Sequence, residues 1–235
     1  MTDDLIRSYE PNLETVTLIA QTPIVLLVGI SGAGKDSIKK MLLQSGKYHH
    51  IVSHTTRKPR VNSGVMETDG VEYHFISEKT ARQMLQDGAF VEAKLVHGTM
   101  YGTSSAEISQ AKREGKIALT DLDVQGVAEY MAMSEYVTAL FVLPPDYEEW
   151  QRRLYARYGE HQAEPADIAK RMQTATSELE EALKQPYYHF IVNNDLHEAV
   201  ATADLIAHGL ESAHGHQADM PRKVAISLLE RIRRA

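Results

Sequence analysis

The sequence predicts an α/β fold with three layers around a parallel central sheet and a small mixed β subdomain. Short apolar runs alternate with helix-length periodic stretches, which is how a parallel sheet covered by helices reads. A glycine-rich loop stands directly between the first apolar run and the first helix. A segment of different texture, with alternating character at Val71 to Ile76, separates the first two buried strands and reads as strands of a smaller subdomain.

Residues 1 to 22 are polar and acidic with weak periodicity and read as an N-terminal extension, and Pro23 punctuates entry to the apolar segment. Buried strands are expected at Ile24 to Val28, Ile117 to Leu122, Val137 to Val142 and Phe190 to Val192, and subdomain strands at Ile51 to Ser53, Val71 to Ile76 and Phe90 to Val96. Helical periods cover Asp36 to Gln44, Glu78 to Gln86, Ser105 to Arg113, Tyr147 to Tyr155, Ala166 to Leu183 and Leu196 to Leu210. Gly88 and Gly115 stand just past two of these helices, where a left-handed C-terminal cap favours glycine. Residues 211 to 220 read as a linker. Beyond it, Val224, Ala225, Leu228, Leu229 and Ile232 form an apolar stripe on a basic helix, which either packs back on its own domain or meets a subunit or partner.

Composition narrows the function classes. The 235 residues suit one large domain or one domain with appendages, and 43% apolar with 24% charged residues is ordinary globular usage. The longest apolar run, 24 to 30, falls far short of the roughly 20 residues a bilayer-spanning helix needs. Asp3 and Asp4 stand where a secretory signal would be basic. The absence of cysteine excludes disulfides, thiolate nucleophiles and cysteine-based metal sites, and makes a reducing, cytoplasmic setting the expectation. A net charge of −7 argues against a broad nucleic-acid surface, though not against a small anion held by a few local cations. The 11 histidines form no ligand pair that the spacing supports.

The strongest local signal is Gly29-Ile-Ser31-Gly32-Ala33-Gly34-Lys35-Asp36-Ser37, after a buried strand and before a helix, which is a P-loop in the context that validates it. Glycines let successive N–H groups turn toward one phosphate chain, the helix start adds its dipole, and Lys35 neutralises the terminal phosphates. Asp36 stands where a P-loop usually offers magnesium a hydroxyl; it either touches the metal or favours the helix start by its charge, the second reading being preferred. The run Ser53-His-Thr-Thr-Arg57-Lys58-Pro-Arg60 carries three cations and no acid, a candidate clamp for a second phosphate. Asp121 ends a buried strand where a Walker-B carboxylate would hold magnesium water.

These motifs, with Asp69-Gly-Val-Glu-Tyr73-His-Phe, Phe90-Val-Glu92, His97-Gly98, Tyr101-Gly-Thr103, Asp121-Leu-Asp123-Val-Gln-Gly, Leu143-Pro-Pro and Val192-Asn193-Asn-Asp-Leu, follow one another in the order of the guanylate kinase family, which the chain resembles over residues 23 to 210. The resemblance implies a P-loop NTPase fold with a GMP-binding subdomain over about 51 to 104 and a lid over about 153 to 171. By the same resemblance Arg57, Arg60, Tyr73 and Tyr101 hold the GMP phosphate, and Ser53, Glu92, Thr103 and Asp123 read the guanine. The resemblance further implies that Arg153, Arg157 and Arg171 of a helical lid close over the transferring phosphate, although the stretch Tyr158 to Asp167 is longer than the family's lid turn, and that Asn193 lies near the adenine of ATP. Donor chemistry agrees: guanine presents N1–H and the 2-amino group side by side to a carboxylate and O6 to a hydroxyl, whereas adenine would leave the carboxylate unpaired, with discrimination of about 10⁴.

The expected reaction is ATP plus GMP to ADP plus GDP, with dGMP as a second acceptor, Mg²⁺ as cofactor, and no nucleic-acid or membrane partner. The oppositely charged ends of the chain suggest a contact within one chain or across a homodimer. Two alternatives stay open: a P-loop kinase acting on a phosphorylated ribose, and a non-catalytic guanylate-kinase-like module that binds proteins. Ser53, Glu92 and Asp123 speak against the first, and intact Gly29, Gly34 and Lys35 against the second.

Overall fold

The structure, a computed structural model, describes residues 2–62, 64–96, 98–156, 165–210 and 219–234. Among these the elements begin α1 (Thr2–Arg7), α2 (Leu13–Ile19), β1 (Ile24–Val28), α3 (Lys35–Gln44), β2 (Tyr48–His50), β3 (His54–Thr55), β4 (Val61–Asn62), β5 (Val65–Met66) and β6 (His74–Phe75). There follow α4 (Glu78–Gln86), β7 (Phe90–Val96), β8 (Thr99–Ser104), α5 (Ser105–Arg113), β9 (Ile117–Asp121), α6 (Val124–Met133) and β10 (Val137–Leu143). The last are α7 (Tyr147–Ala156), α8 (Pro165–Lys184), β11 (Tyr188–Val192), α9 (Leu196–Ala207) and α10 (Asp219–Arg234). The chain forms two compact units, the first of Met1–Ile24, Lys47–Thr120 and Glu129–Val137, the second of Val25–Gly46, Asp121–Ala128 and Thr138–Ala235.

In the second unit the strands run in the order β11-β10-β1. β10 and β11 are parallel in register from Ala139 opposite Tyr188 to Leu143 opposite Val192. Every residue of β1 is buried, as the near-continuous apolar run requires of a strand covered on both faces. α10 packs on α7, α8 and β11. Its expected stripe is turned inward, with Ala225, Leu228, Leu229 and Ile232 buried, so the helix packs back on its own unit. The basic face is satisfied there too, Arg231 pairing with Glu148 at 2.5 Å and Arg233 with Glu180 at 2.6 Å.

In the first unit β2 runs parallel to β9, and a mixed sheet has the order β6-β3-β8-β7. β3 is parallel to β6 and antiparallel to β8, and β7 and β8 form an antiparallel pair. The strand expected at Ile51 to Ser53 is a connection, the strands lying on either side of it as β2 and β3. Only His74–Phe75 of the expected Val71 to Ile76 is strand, because the preceding residues turn through Gly70 at φ 76°.

The N-terminal extension contains two helices. Asn12 caps α2 by accepting from Thr15 N–H at 2.8 Å and donates to the Asp87 carbonyl at 3.0 Å. Tyr9 donates its hydroxyl to the Phe90 carbonyl and accepts from the Phe90 N–H, and Ile6 joins Ala81, Leu85, Phe90 and Met100 in one apolar cluster. No helix among the described residues is long and apolar enough to cross a membrane.

Candidate active site

The second unit shapes a candidate phosphate cradle from backbone. Chain reversal after β1 puts Gly29 at φ 136°, where a Cβ would stand 2.2 Å from the Val142 carbonyl oxygen. Gly34 caps α3 at φ 95°, and a Cβ there would meet Asn193 Nδ2 at 2.2 Å. Between them the loop is held from outside. Trp150 Nε1 donates to the Ser31 carbonyl at 2.8 Å, Asn193 Nδ2 to the Ala33 carbonyl at 2.9 Å, and the Arg171 guanidinium to Ser31 Oγ at 2.9 Å. No side chain caps the start of α3, which leaves its N-terminal dipole facing the loop.

The resulting cavity of 760 Å³ is lined by Gly29, Ser31, Gly32, Gly34, Lys35, Asp36 and Ser37 on one side and by Arg153, Lys170, Arg171 and Glu178 on another. Ala33 is buried behind this wall. The Lys35 ammonium folds onto the Gly29 carbonyl of its own loop. Arg153 is oriented by Glu149 at 2.7 Å and by the Asn193 carbonyl at 3.0 Å. Glu178 had no marker in the sequence. Burial raises its carboxyl above the ordinary 4.5, the Lys35 charge opposing and the Asp123 charge reinforcing the shift. Arg157 lies outside the described residues.

The two strand-end acids have different partners. Asp121 forms an ion pair with Lys39. Asp123 Oδ1 accepts from Gly126 N–H at 2.8 Å, opening α6, and lines a cavity of 320 Å³ with Gln125, Thr174 and Glu178. Among the described residues no three His, Cys, Asp or Glu side chains are grouped to hold a metal by themselves. Asp36 on the cavity wall and Asp121, paired with Lys39, are hard oxygen donors, which fits Mg²⁺ carried in on phosphate oxygens and water better than a resident ion in a protein cage.

The first unit arranges side chains. Arg57 makes a two-pronged pair with Glu67, at 2.6 and 3.0 Å, with side-chain exposures of only 8% and 6%. Its guanidinium lies 5.2 Å from the Tyr73 ring centre and 5.6 Å from that of Phe75, and the Tyr101 hydroxyl sits against it. Glu67 also accepts from the Arg60 N–H at 2.8 Å, while the Arg60 side chain is exposed. Thus Tyr73 and Tyr101 gather around an Arg57 that is held by an acid no motif spacing announced. Glu92 on β7 is buried and stands opposite Thr103 on β8, just past a register irregularity between Phe90 and Glu92. Ser53 lies in the connection between β2 and β3, its carbonyl accepting from His74 N–H at 2.9 Å. His97 lies outside the described residues.

The guanylate kinase family model matches residues 20–208. Guanylate kinase 1 of Arabidopsis thaliana is 38% identical over 178 residues, 75% of this chain but only 44% of that protein's length, so the chain spans less than half of it. Guanylate kinase of Syntrophotalea carbinolica is 39% identical over 172 residues, covering 72% of this chain and 77% of its own. The crystal structure of guanylate kinase from Anaplasma phagocytophilum superposes with a TM-score of 0.56 at 26% identity, covering 82% of this chain and 86% of that one. A family match across most of the sequence, joined to a glycine-built cradle and a buried Glu92 facing Thr103, places the chain in the guanylate kinase family.

Proposed function

We propose that this chain transfers the terminal phosphoryl group of ATP to GMP, and also to dGMP, giving ADP and the nucleoside diphosphate. The observation that carries the choice of acceptor is the buried Glu92 standing opposite the buried Thr103 on the neighbouring strand. That pair matches the N1–H, 2-amino and O6 edge of guanine and leaves adenine without partners. Phosphoryl transfer needs little covalent help, so the residues act by alignment and charge neutralisation. Lys35, Arg153 and Arg171 take up charge on the migrating group, joined by Arg157, and Gly29 to Ser37 hold the ATP phosphates, with Asn193 bracing the loop.

Arg57, Arg60, Tyr73 and Tyr101 orient the GMP phosphate, Glu67 holding Arg57 in place beforehand, while Ser53 and Asp123 complete the guanine reader. Asp36 and Asp121 would hold Mg²⁺ when the nucleotide brings it in, and the ion would supply positive charge to the phosphate oxygens. The cysteine-free composition suits a cytoplasmic enzyme. A coupled ADP-release assay with GMP, AMP, UMP and a ribose bisphosphate tests the reading. Turnover confined to GMP and dGMP is expected, and no GMP-dependent rate above the ATPase background overturns it.

A further inference from the structure

Among the described residues of the first unit, Thr103 Oγ1, Ser104 Oγ and the Tyr130 hydroxyl are buried without a hydrogen bond of ordinary geometry, and Thr103 and Tyr130 lie beside Glu92. Thr103 and Tyr130 are both 0% exposed. Glu129 forms an ion pair with Lys94 at 3.4 Å, and Lys94 stands opposite Tyr101 on the β7–β8 pair that also carries Glu92 and Thr103. The ion pair fastens the residue next to Tyr130 onto this pair of strands. The Tyr130 hydroxyl faces Thr103 and senses the Glu92 charge. Burial, and then that charge, push the phenol's pKa up, so the group remains an O–H donor across the working pH range. A hydroxyl in a dry interior needs a partner, Thr103 is the one this hydroxyl faces, and phenylalanine would fill the same space without it.

We propose that Tyr130 is a positioning residue for the acceptor base: its O–H donates to Thr103 Oγ1, committing the Thr103 proton to the 6-oxo oxygen of the base while Glu92 accepts from N1–H and the 2-amino group. A threonine hydroxyl has one proton and two lone pairs. Filling one lone pair from behind limits the directions the proton takes and strengthens it as a donor through the chain of bonds. The inference rests on the GMP reading above and names a residue that reading does not need.

The test compares wild type with Tyr130→Phe, using GMP and 2-aminopurine riboside 5′-monophosphate, an analogue without the 6-oxo oxygen. Expected is a 3- to 10-fold rise in KM for GMP with kcat within two-fold, and an equal weakening of GMP binding measured calorimetrically without ATP. The analogue should be unaffected, so the preference for GMP over it shrinks by the same factor. The melting temperature should hold or rise. On a Thr103→Val background the Tyr130→Phe change should have no further effect on GMP. Unchanged GMP binding, parallel weakening of both ligands, or a variant that does not fold would each overturn the proposal, the last by making the hydroxyl structural. If wild type itself neither binds nor turns over GMP, the GMP reading falls instead; GMP turnover that is identical in both proteins removes only Tyr130.

Discussion

In the proposed reaction the two units would hold phosphate in opposite ways. The second uses backbone: left-handed glycines shape the loop, and Trp150 and Asn193 hold its carbonyls from outside. The first uses side chains: Arg57 is fixed by Glu67 and by Tyr73, Phe75 and Tyr101. A backbone cradle fails when a Cβ intrudes, and its loss is local. A side-chain cradle fails when one partner is removed, because a buried charge is then left alone.

The largest effect should follow Glu67→Ala. Breaking a buried ion pair from one side costs about 3–5 kcal/mol, so urea unfolding should show a large loss of stability, with Glu67→Gln intermediate. A surface-like loss below about 1 kcal/mol would mean that the Arg57 cradle does not depend on its acid. In the other unit, Gly34→Ala should cost about 1–2 kcal/mol for the left-handed backbone, yet abolish ATP binding by displacing Asn193 from the Ala33 carbonyl. Calorimetric titration with ATP separates the two readouts, and retained affinity would remove the glycine argument.

Smaller effects appear as pH dependence and again differ between the units. Burial, reinforced by the neighbouring His74, lowers His54 from 6.5 to about 4, against the opposing charges of Glu107 and Asp69. The unfolded chain therefore takes up this proton first as pH falls, and stability should be lost between pH 6.5 and about 4. His54→Gln should flatten that part of the melting profile. Glu178 runs the other way: its raised carboxyl keeps a proton that the unfolded chain has released, so its contribution falls as pH rises above 4.5. Glu178→Gln should match wild type in acid and exceed it slightly near neutrality; equal melting curves throughout would mean that Lys35 offsets the burial.

The same contrast explains what was legible in the sequence. The cradle at Gly29 to Ser37 is built from consecutive residues, so its spacing announces it, and β1, α4, α5 and β7 have the bounds that their periodicity and capping glycines predict. Glu67 meets Arg57 across ten positions and an intervening hairpin of β4 and β5, a contact that no local period encodes. α1 and α2 have 6 and 7 residues, under two turns each, too few to establish a stripe. α6 was hidden by Gly126 within it and by a start set by Asp123, and β8 by its polar, glycine-containing sequence. Tyr130 gave no signal because its significance lies in a buried hydroxyl that faces Thr103, which only packing reveals.

The chain has a single tryptophan, Trp150, and its indole N–H rests on the carbonyl of Ser31 in the phosphate loop. Its intrinsic fluorescence therefore comes from one known place. When a triphosphate enters the loop and shifts that carbonyl, emission from the unlabelled protein should change, giving an optical gauge of loop occupancy.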